Sequence, residues 1–395
     1  MSAALSISTL VLNEQARREA FPVCKRKIFF GHAGVTVLPR AVAGAMIRCA
    51  EQSCVDHQEF GEVLNDVNLT RRIAAQLIAA QPEEIALLGP TSLGLSLFAN
   101  GIPWNEGDEI LCYAGDYPAN VYPWMDLQRK GVILRYLEPA RIGELTPELV
   151  AAALTPRTRM VALASCNFFS GYRIDVDAIG RLLHERGVLF SLDAIQTLGA
   201  FPLSVQYVDF LSADAHKWML GPMAIGIVYV NNKHFDLLRP TLLGAWNVVS
   251  PNFITQDAIA FHPTARRYEP GVLNIAGIYG MKAAMELALA IGLDNIAARL
   301  LELKKRLIDQ LTPLGFEIIP PLEGPNASGI TTLRHPVAGM TALFHLLEKN
   351  NIVASLRHDR TGVEYIRFSP HFYNTIEEVD RVVEVLRQGL GGIPV

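Results

Sequence analysis

The 395-residue sequence lacks the features of a membrane protein or a nucleic-acid-binding protein. Its formal net charge is only −4, and no lysine- and arginine-rich run of the kind that binds polyanions occurs. No stretch reaches the about 18 apolar residues that a membrane span needs, and the apolar run at 281–292 is interrupted by Lys282 and Glu286. We therefore expect no nucleic-acid partner and no membrane partner.

Cysteine is also scarce. The five cysteines are an odd number without the paired spacing of a metal site: Cys24, Cys49, Cys54, Cys112 and Cys166. A chain of this length needs no disulfides for stability, so we expect a reducing, cytoplasmic setting and no bound metal. The first 21 residues have neither a basic n-region nor a long apolar run, and they predict a helical arm rather than a signal peptide.

Short runs that are apolar on both faces alternate with helix-like segments through the first two thirds of the chain. These runs are IALLG, EILCYA, VILRYL, MVALASC and VLFSLDA, near residues 85, 109, 132, 160 and 188. Strands of this kind are typical of a parallel sheet covered by helices on both sides. The sequence therefore predicts an α/β domain with a mostly parallel, doubly wound sheet. Two further strands, within VDFLSADA and AIGIVYV, are joined by a loop too short for a helical crossover, which predicts an antiparallel pair.

The last third of the chain predicts a smaller α+β unit. A long helical pattern over 277–311 precedes strands at FEIIP, GITTL, IVASL and YIRFS and helices at 339–349 and 376–388. The chain has 395 residues and half of them are hydrophobic, which is more hydrophobic residues than one compact core usually holds. We predict a large domain at 30–275 and a small domain formed by 1–29 together with 276–395, with a cleft between them.

Two residues in the short motifs SLDAIQ and SADAHKW are candidates for a functional site. Asp193 ends an apolar strand at the carboxyl edge of the predicted sheet, where ligands bind in open α/β folds, and its carboxylate could keep a pyridinium nitrogen protonated. Lys217 lies on a loop of small and aromatic residues, where a dehydrated lysine can form an imine. Together, the two residues suggest a pyridoxal 5′-phosphate (PLP) site. Taken singly, Asp193 could be a helix cap and Lys217 a surface charge.

Three further elements support the same site. In LLGPTSLGLSL, the N–H groups and hydroxyls of Thr91 and Ser92 at a helix start would form a phosphate cup, although either could be an ordinary N-cap. Gln196 offers an amide for the ring hydroxyl or the imine. His216 could contact the cofactor or move protons, or it could be a core histidine.

The combination of Asp193, Gln196, the pair His216 and Lys217, and the turn at 91–92 resembles fold-type I PLP enzymes. Specifically, it is similar to the class V aminotransferase family, which includes cysteine desulfurases, selenocysteine lyases, kynureninases and isopenicillin N epimerase. The resemblance extends from FFGHAGVTVLP to IRFSPHFYNT, and it is strongest from DAIQTLG to MAIGIVYV. It implies a PLP-dependent transferase fold of type I and a homodimer with sites at the subunit interface.

The resemblance also assigns roles to individual residues. It implies that Lys217 carries PLP as a Schiff base, with Lys217 and His216 catalytic, and it assigns cofactor binding to Thr91, Ser92, Tyr117, Asp193, Gln196, His216 and Lys217. Tyr117 would stack on the ring. Arg367 would grip the substrate α-carboxylate as a bidentate donor, and His32 would line the substrate side. Asn167 and Phe168 fall where relatives often place a polar residue near the cofactor hydroxyl.

The sequence departs from the family pattern in two places. Val272 replaces the threonine whose hydroxyl reaches the partner subunit's phosphate in many relatives. No cysteine occurs between residues 200 and 395, whereas desulfurases need a mobile loop cysteine that attacks the substrate sulfur. A desulfurase that forms a persulfide is therefore disfavoured.

The expected substrate is a small α-amino acid that reacts through an imine with the cofactor. Because the site looks complete without a second nucleophile, an aminotransferase-type reaction is the first expectation. A cysteine-independent C–S lyase that acts by β-elimination is the alternative, as is an epimerase. A non-catalytic binding protein built on the same fold is the alternative of another class.

Overall fold

The computed structural model describes residues 6–58 and 61–391. The strands in these residues are, in chain order, β1 (Ile28–Phe29), β2 (Ile85–Leu87), β3 (Glu109–Cys112), β4 (Ile133–Tyr136), β5 (Thr158–Ala164), β6 (Leu189–Asp193), β7 (Phe210–Asp214), β8 (Gly226–Val230), β9 (Glu317–Ile318), β10 (Thr331–Arg334), β11 (Ile352–Val353), β12 (Ser355–His358) and β13 (Glu364–Phe368). Every strand run that the sequence predicts is present.

Each helix in the described residues buries at least one of its side chains. The helices are α1 (Ile7–Leu12), α2 (Glu14–Ala20), α3 (Arg40–Gln52), α4 (Glu62–Ile78), α5 (Thr91–Gly101), α6 (Tyr122–Asp126), α7 (Pro147–Ala153), α8 (Val176–Glu185), α9 (Ile275–Ile291), α10 (Leu293–Leu311), α11 (Met340–Lys349) and α12 (Ile376–Leu390). The first two confirm the helical arm expected at the start of the chain.

A seven-stranded sheet with strand order β2-β8-β7-β6-β5-β3-β4 forms the centre of the molecule. All neighbouring pairs are parallel except the two that involve β8, which runs antiparallel to both β7 and β2. Separate hydrophobic clusters cover the two faces of this sheet. The prediction of a mostly parallel α/β fold with one antiparallel pair at 210–230 is confirmed.

The C-terminal unit has a four-stranded antiparallel sheet with the order β12-β13-β10-β9, packed on α10, α11 and α12. Strand β1 of the N-terminal segment pairs in parallel with β11, so the start of the chain joins this unit. The predicted domain boundaries at 29/30 and 275/276 stay a prediction.

The helical pattern over 277–311 is not one helix. Two helices, α9 and α10, meet at Gly292, whose φ of +89° favours glycine, and their axes differ by 81°. No single helix in the described ranges is long and apolar enough to cross a membrane. Taken together, the two helices of this bent pair have the length and the apolar composition of a membrane span, by those two criteria alone.

Candidate active site

A cavity of about 570 Å³ lies where the carboxyl ends of β6 and β7 face the C-terminal unit. Three parts of the chain line it. The sheet contributes its loops and the start of α5, the N-terminal segment contributes Phe29, Gly31 and residues 33–35, and the small sheet contributes β12 and β13. The cavity is therefore assembled from segments more than 300 residues apart in sequence.

Asp193 lies at the floor of this cavity, as the last residue of β6. Only 3% of the residue is exposed, and its Oδ1 accepts a hydrogen bond from Ile195 N at 3.0 Å. Within the described residues, Oδ2 has no protein hydrogen bond. Burial raises the pKa of the carboxyl group, and the charge of Lys217 opposes this effect. A buried carboxylate with one oxygen free is suited to a cationic ring nitrogen.

Lys217 follows β7 and is 8% exposed. Its Nζ lies 5.4 Å from the centre of the Tyr117 ring, within the range of a cation–π contact. Burial lowers the pKa of Lys217 to about 8, and the nearby Asp193 raises it while Arg367 lowers it further. About a tenth of the amine is therefore neutral near pH 7, which is the form that attacks a carbonyl carbon.

Gln196 is held in place at both ends of its amide. Its Nε2 donates to Ala33 O at 3.1 Å, and its Oε1 accepts the indole N–H of Trp218 at 2.7 Å. This leaves one amide proton for a ligand in the cavity. The support from Trp218 was not predicted, although its position directly after Lys217 is a signal that sequence reasoning could have used.

The start of α5 is tied to the end of β7. Thr91 Oγ1 accepts a hydrogen bond from Asp214 N at 2.8 Å, and Thr91 O accepts one from Ser212 Oγ at 3.0 Å. A Cβ at Gly94 would lie 2.8 Å from Val228 Cγ2, so only glycine allows the helix to approach the sheet this closely. The N-terminal end of α5, with Thr91 and Ser92, consequently points into the cavity, as a phosphate cup requires.

His216 and Tyr117 complete the predicted cofactor set, and both line the cavity. The side chain of His216 is one-fifth exposed, and its Nδ1 lies 3.2 Å from Asp214 Oδ1 without the alignment of a hydrogen bond. Tyr117 is half-exposed and meets Phe168 edge to face, with ring centres 5.4 Å apart. The structure thus brings together all seven residues that the sequence assigned to the cofactor.

Arg367 lies on β13 and is 1% exposed. Its Nη1 donates to Phe168 O at 2.5 Å, while Nε and Nη2 are buried without a partner in the described part of the chain. Burial lowers the pKa of Arg367 to about 9, and the charge of Arg357 adds to this effect. Unpaired guanidinium N–H groups beside a cavity are suited to a bidentate carboxylate.

His32 does not reach the cavity. It is fully buried, with Nδ1 bonded to Ser369 O at 2.9 Å and Nε2 to the Tyr373 hydroxyl at 3.0 Å. Burial lowers its pKa well below the usual value, with His371 contributing. Both ring nitrogens are therefore occupied by protein groups, and the next residue, Ala33, lines the site instead.

The structure shows which of Asn167 and Phe168 faces the cavity. Phe168 lines the cavity, whereas Asn167 turns away and holds its own loop by donating to Gly115 O and accepting from Phe169 N and Ser170 N. The aromatic residue, not the polar one, faces the site. Val272 lies off this cavity and is 69% exposed.

Two features of the cavity bear directly on its chemistry. None of the five cysteines lines it, and burial raises the pKa of Cys166 to about 11, which keeps that thiol protonated. A second arginine, Arg357 on β12, does line it and was not predicted. Its signal in the sequence is its position two residues after Ser355, on the same face of the strand.

Known proteins match this chain over almost its full length. The family model described as aminotransferase class-V matches residues 28–382. A probable cysteine desulfurase of Pyrococcus abyssi is 26% identical over 94% of this chain and 96% of its own, and the uncharacterized aminotransferase YcbU of Bacillus subtilis is 24% identical over 93% and 95%. The apo structure of a cysteine desulfurase from Thermococcus onnurineus NA1 superposes with a TM-score of 0.90 at 24% identity, over 96% of this chain and 98% of that one, and so shares the fold.

The residues present fit PLP. A buried acid with a free oxygen, a lysine of lowered pKa and a helix N-terminus surround one cavity, and they correspond to the ring nitrogen, the aldehyde and the phosphate. With the family match, these features establish that the chain belongs to the class V aminotransferase family and is a PLP-dependent enzyme of fold type I.

Proposed function

We propose that the enzyme is a C–S lyase that removes sulfur from a small, cysteine-like amino acid by β-elimination, without a protein thiol. The observation that carries this proposal against a persulfide-forming desulfurase is the absence of all five cysteines from the lining of the cavity. Relatives matching over more than nine tenths of the chain bear the name cysteine desulfurase, which favours chemistry at a carbon–sulfur bond over the transamination that was the first expectation.

The residues of the cavity divide the work between binding and proton transfer. Arg367 holds the α-carboxylate through its unpaired Nε and Nη2, which orients the Cα–H bond. The neutral amine of Lys217 takes the Cα proton. With PLP bound, Asp193 would hold a proton at the ring nitrogen, and Thr91, Ser92 and His216 would contact the phosphate and the ring. When bound, PLP supplies a ring that accepts the electron pair left at Cα.

The net reaction has a defined balance. The Cα–H and Cβ–S bonds break, the electron pair of the Cβ–S bond leaves with the sulfur, and a thiol forms. The remaining 2-aminoacrylate takes up one water and becomes pyruvate and ammonium. No oxidant or reductant is needed, and no sulfur is transferred to the protein. This outcome differs from that of a desulfurase, whose cysteine thiolate would carry the sulfur away as a persulfide.

The test is to incubate the PLP-loaded enzyme with L-cysteine and no keto acid. The proposal expects sustained release of sulfide, pyruvate and ammonia in equal amounts, with no activity in Lys217→Ala. Conversion of one equivalent of cofactor to its amine form, followed by arrest, would instead identify an aminotransferase. Alanine in place of pyruvate would identify a desulfurase.

A second variant separates the lyase from a desulfurase that uses Cys166. Because the thiol of Cys166 is fully buried and protonated, Cys166→Ala should keep the rate of pyruvate release within about twofold of the wild type. A loss of sulfide release in this variant, with the bound cofactor spectrum unchanged, would contradict the proposal.

We also propose that the enzyme is a homodimer. Leu242, Leu243 and Val272 expose half or more of their surface, and Gly244 packs directly on the backbone of Pro270, which brings these apolar side chains to one region. Covering such a region is a common reason for subunit association. Size-exclusion chromatography that shows a fully active monomer would refute this assignment.

A further inference from the structure

Two arginines face the same cavity from neighbouring strands. In the antiparallel pair of β12 and β13, Ser355 is opposite Arg367 and Arg357 is opposite Tyr365. Because alternate residues of a strand share a face, Ser355, Arg357 and Arg367 all point to the cavity, and all three line it. The two arginines are diagonal neighbours on that face, at a spacing of roughly 7–8 Å between their backbones.

Neither arginine has an acidic partner in the described ranges. Arg367 donates only to Phe168 O, and Arg357 Nε is buried without any hydrogen bond. Three acids near the site have other neighbours: Asp193 lies beside Lys217, Asp214 lies beside His216, and Asp116 accepts a hydrogen bond from Ala164 N. Two like charges on one face of a sheet repel each other, so one anion bound at each arginine would relieve more of this repulsion than a single α-carboxylate.

The two arginines also differ in depth. Arg367 is 1% exposed, whereas Arg357 is half-buried and so lies nearer to solvent. With the α-carboxylate of a substrate held at Arg367, Arg357 remains unpaired on the same face of the sheet, at a spacing of roughly 7–8 Å. Arg357 is therefore available to the far end of the substrate.

We propose that Arg357 forms a second anion subsite, and that the substrate carries a second negative group, a carboxylate or sulfonate, beyond its sulfur atom. This inference rests on the proposed lyase function for the identity of the sulfur and on the structure alone for the second charge. Ser355, which lies between the two arginines on the same face, is placed to donate a hydrogen bond to either anion.

The test uses two isosteric thioethers, S-carboxymethyl-L-cysteine and S-carbamoylmethyl-L-cysteine, which differ by one charge. Their dissociation constants for the PLP-loaded enzyme are measured by the spectral change of the cofactor, and pyruvate release is measured separately. A hydrogen bond to a charged group contributes enough for the acid to bind roughly tenfold or more tightly than the amide. Arg357→Gln should abolish this preference.

Arg360→Gln is the matched control, because Arg360 is exposed in the turn between the same two strands and does not line the cavity. It should keep the preference for the acid. Equal affinity for both thioethers in the wild type overturns the proposal. So does a loss in Arg357→Gln that is equal for both thioethers, which would mean that the two arginines share one α-carboxylate.

The readouts separate this inference from the lyase proposal. Preference for the acid without any pyruvate supports the anion subsite and refutes the lyase. Pyruvate release from both thioethers without a preference supports the lyase and refutes the subsite. Unchanged cofactor absorption and an unchanged unfolding temperature in Arg357→Gln exclude a loss of fold as the cause.

Discussion

The buried amino group of Lys217 costs the cofactor-free protein stability at neutral pH. Burial disfavours the charged ammonium and lowers its pKa from 10.5 to about 8. Because a tenfold change in acidity corresponds to about 1.4 kcal/mol, this difference corresponds to about 3 kcal/mol. Lys217→Met keeps the length of the side chain without the charge. It should therefore raise the free energy of unfolding of the cofactor-free protein by up to about 3 kcal/mol near pH 7.

The sign of the pH dependence follows from the two pKa values. Below about pH 8 the lysine is charged in both the folded and the unfolded state, so the folded state bears the full cost. Between about 8 and 10.5 the unfolded state binds more protons, and the stability of the wild type rises with pH. Above this window the cost is absent. The advantage of Lys217→Met should therefore shrink as the pH rises through the window.

Urea unfolding of the cofactor-free proteins, followed by tryptophan fluorescence near pH 7 and near pH 10, measures this difference. Lys304→Met is the matched control. Lys304 is 1% exposed, donates one hydrogen bond to Ile330 O at 2.8 Å and has its pKa lowered to about 8 by burial, but it does not line the cavity.

Both variants should show a gain that decreases with pH, and the gain for Lys304→Met should be smaller because Ile330 O loses its donor. Only Lys217→Met should lose the imine that borohydride reduces. A Lys217→Met protein that is less stable than the wild type near pH 7, or a difference in stability that does not change with pH, would refute the reasoning.

Two further substitutions test the support of the site and of the fold. Trp218→Phe removes the indole N–H that donates a hydrogen bond to the buried oxygen of Gln196, which should lower the free energy of unfolding by about 1–3 kcal/mol. It should also weaken PLP affinity in an absorbance titration. Trp104→Phe is the control, because the indole of Trp104 donates to a backbone carbonyl outside the cavity, and this variant should keep the PLP affinity of the wild type. Equal affinities in both variants would contradict the role of Trp218. Arg17→Met leaves the buried Glu378 without its cation and should lower the free energy of unfolding by about 3 kcal/mol. It should not change PLP affinity. A loss of stability below about 1 kcal/mol would show that the remaining hydrogen-bond donors satisfy the carboxylate.

Much of the fold and the cofactor site could be predicted from local patterns. The strands of the large sheet are short runs apolar on both faces, and their burial between two layers of helices requires that pattern. Asp193 ends such a strand, Lys217 follows one, and Thr91 begins the helix after another, and the carboxyl edge of a parallel sheet brings residues of this kind together. Their convergence therefore follows from topology that the sequence already indicates.

The expectation of one continuous helical pattern over 277–311 was wrong for a local reason. The apolar pattern continues across Gly292, and a glycine within a helical pattern can be tolerated or can end the helix. Only the packing of α9 against α3 and α4, and of α10 against α12, requires the chain to turn there. Periodicity records which residues are buried, but not against which partner.

The tertiary structure decided what local patterns cannot contain. His32 and Ala33 are neighbours in sequence, yet pairing of the segment with residues near Ser369 buries the imidazole and turns the alanine to the cavity. Arg357 reaches the cavity only because β12 pairs with β13, and such pairing depends on residues distant in the chain. The sequence alone determined the cofactor chemistry, since the residue types around PLP are set by its ring and phosphate. Which charges face the substrate depended on strand register and on the docking of the C-terminal unit.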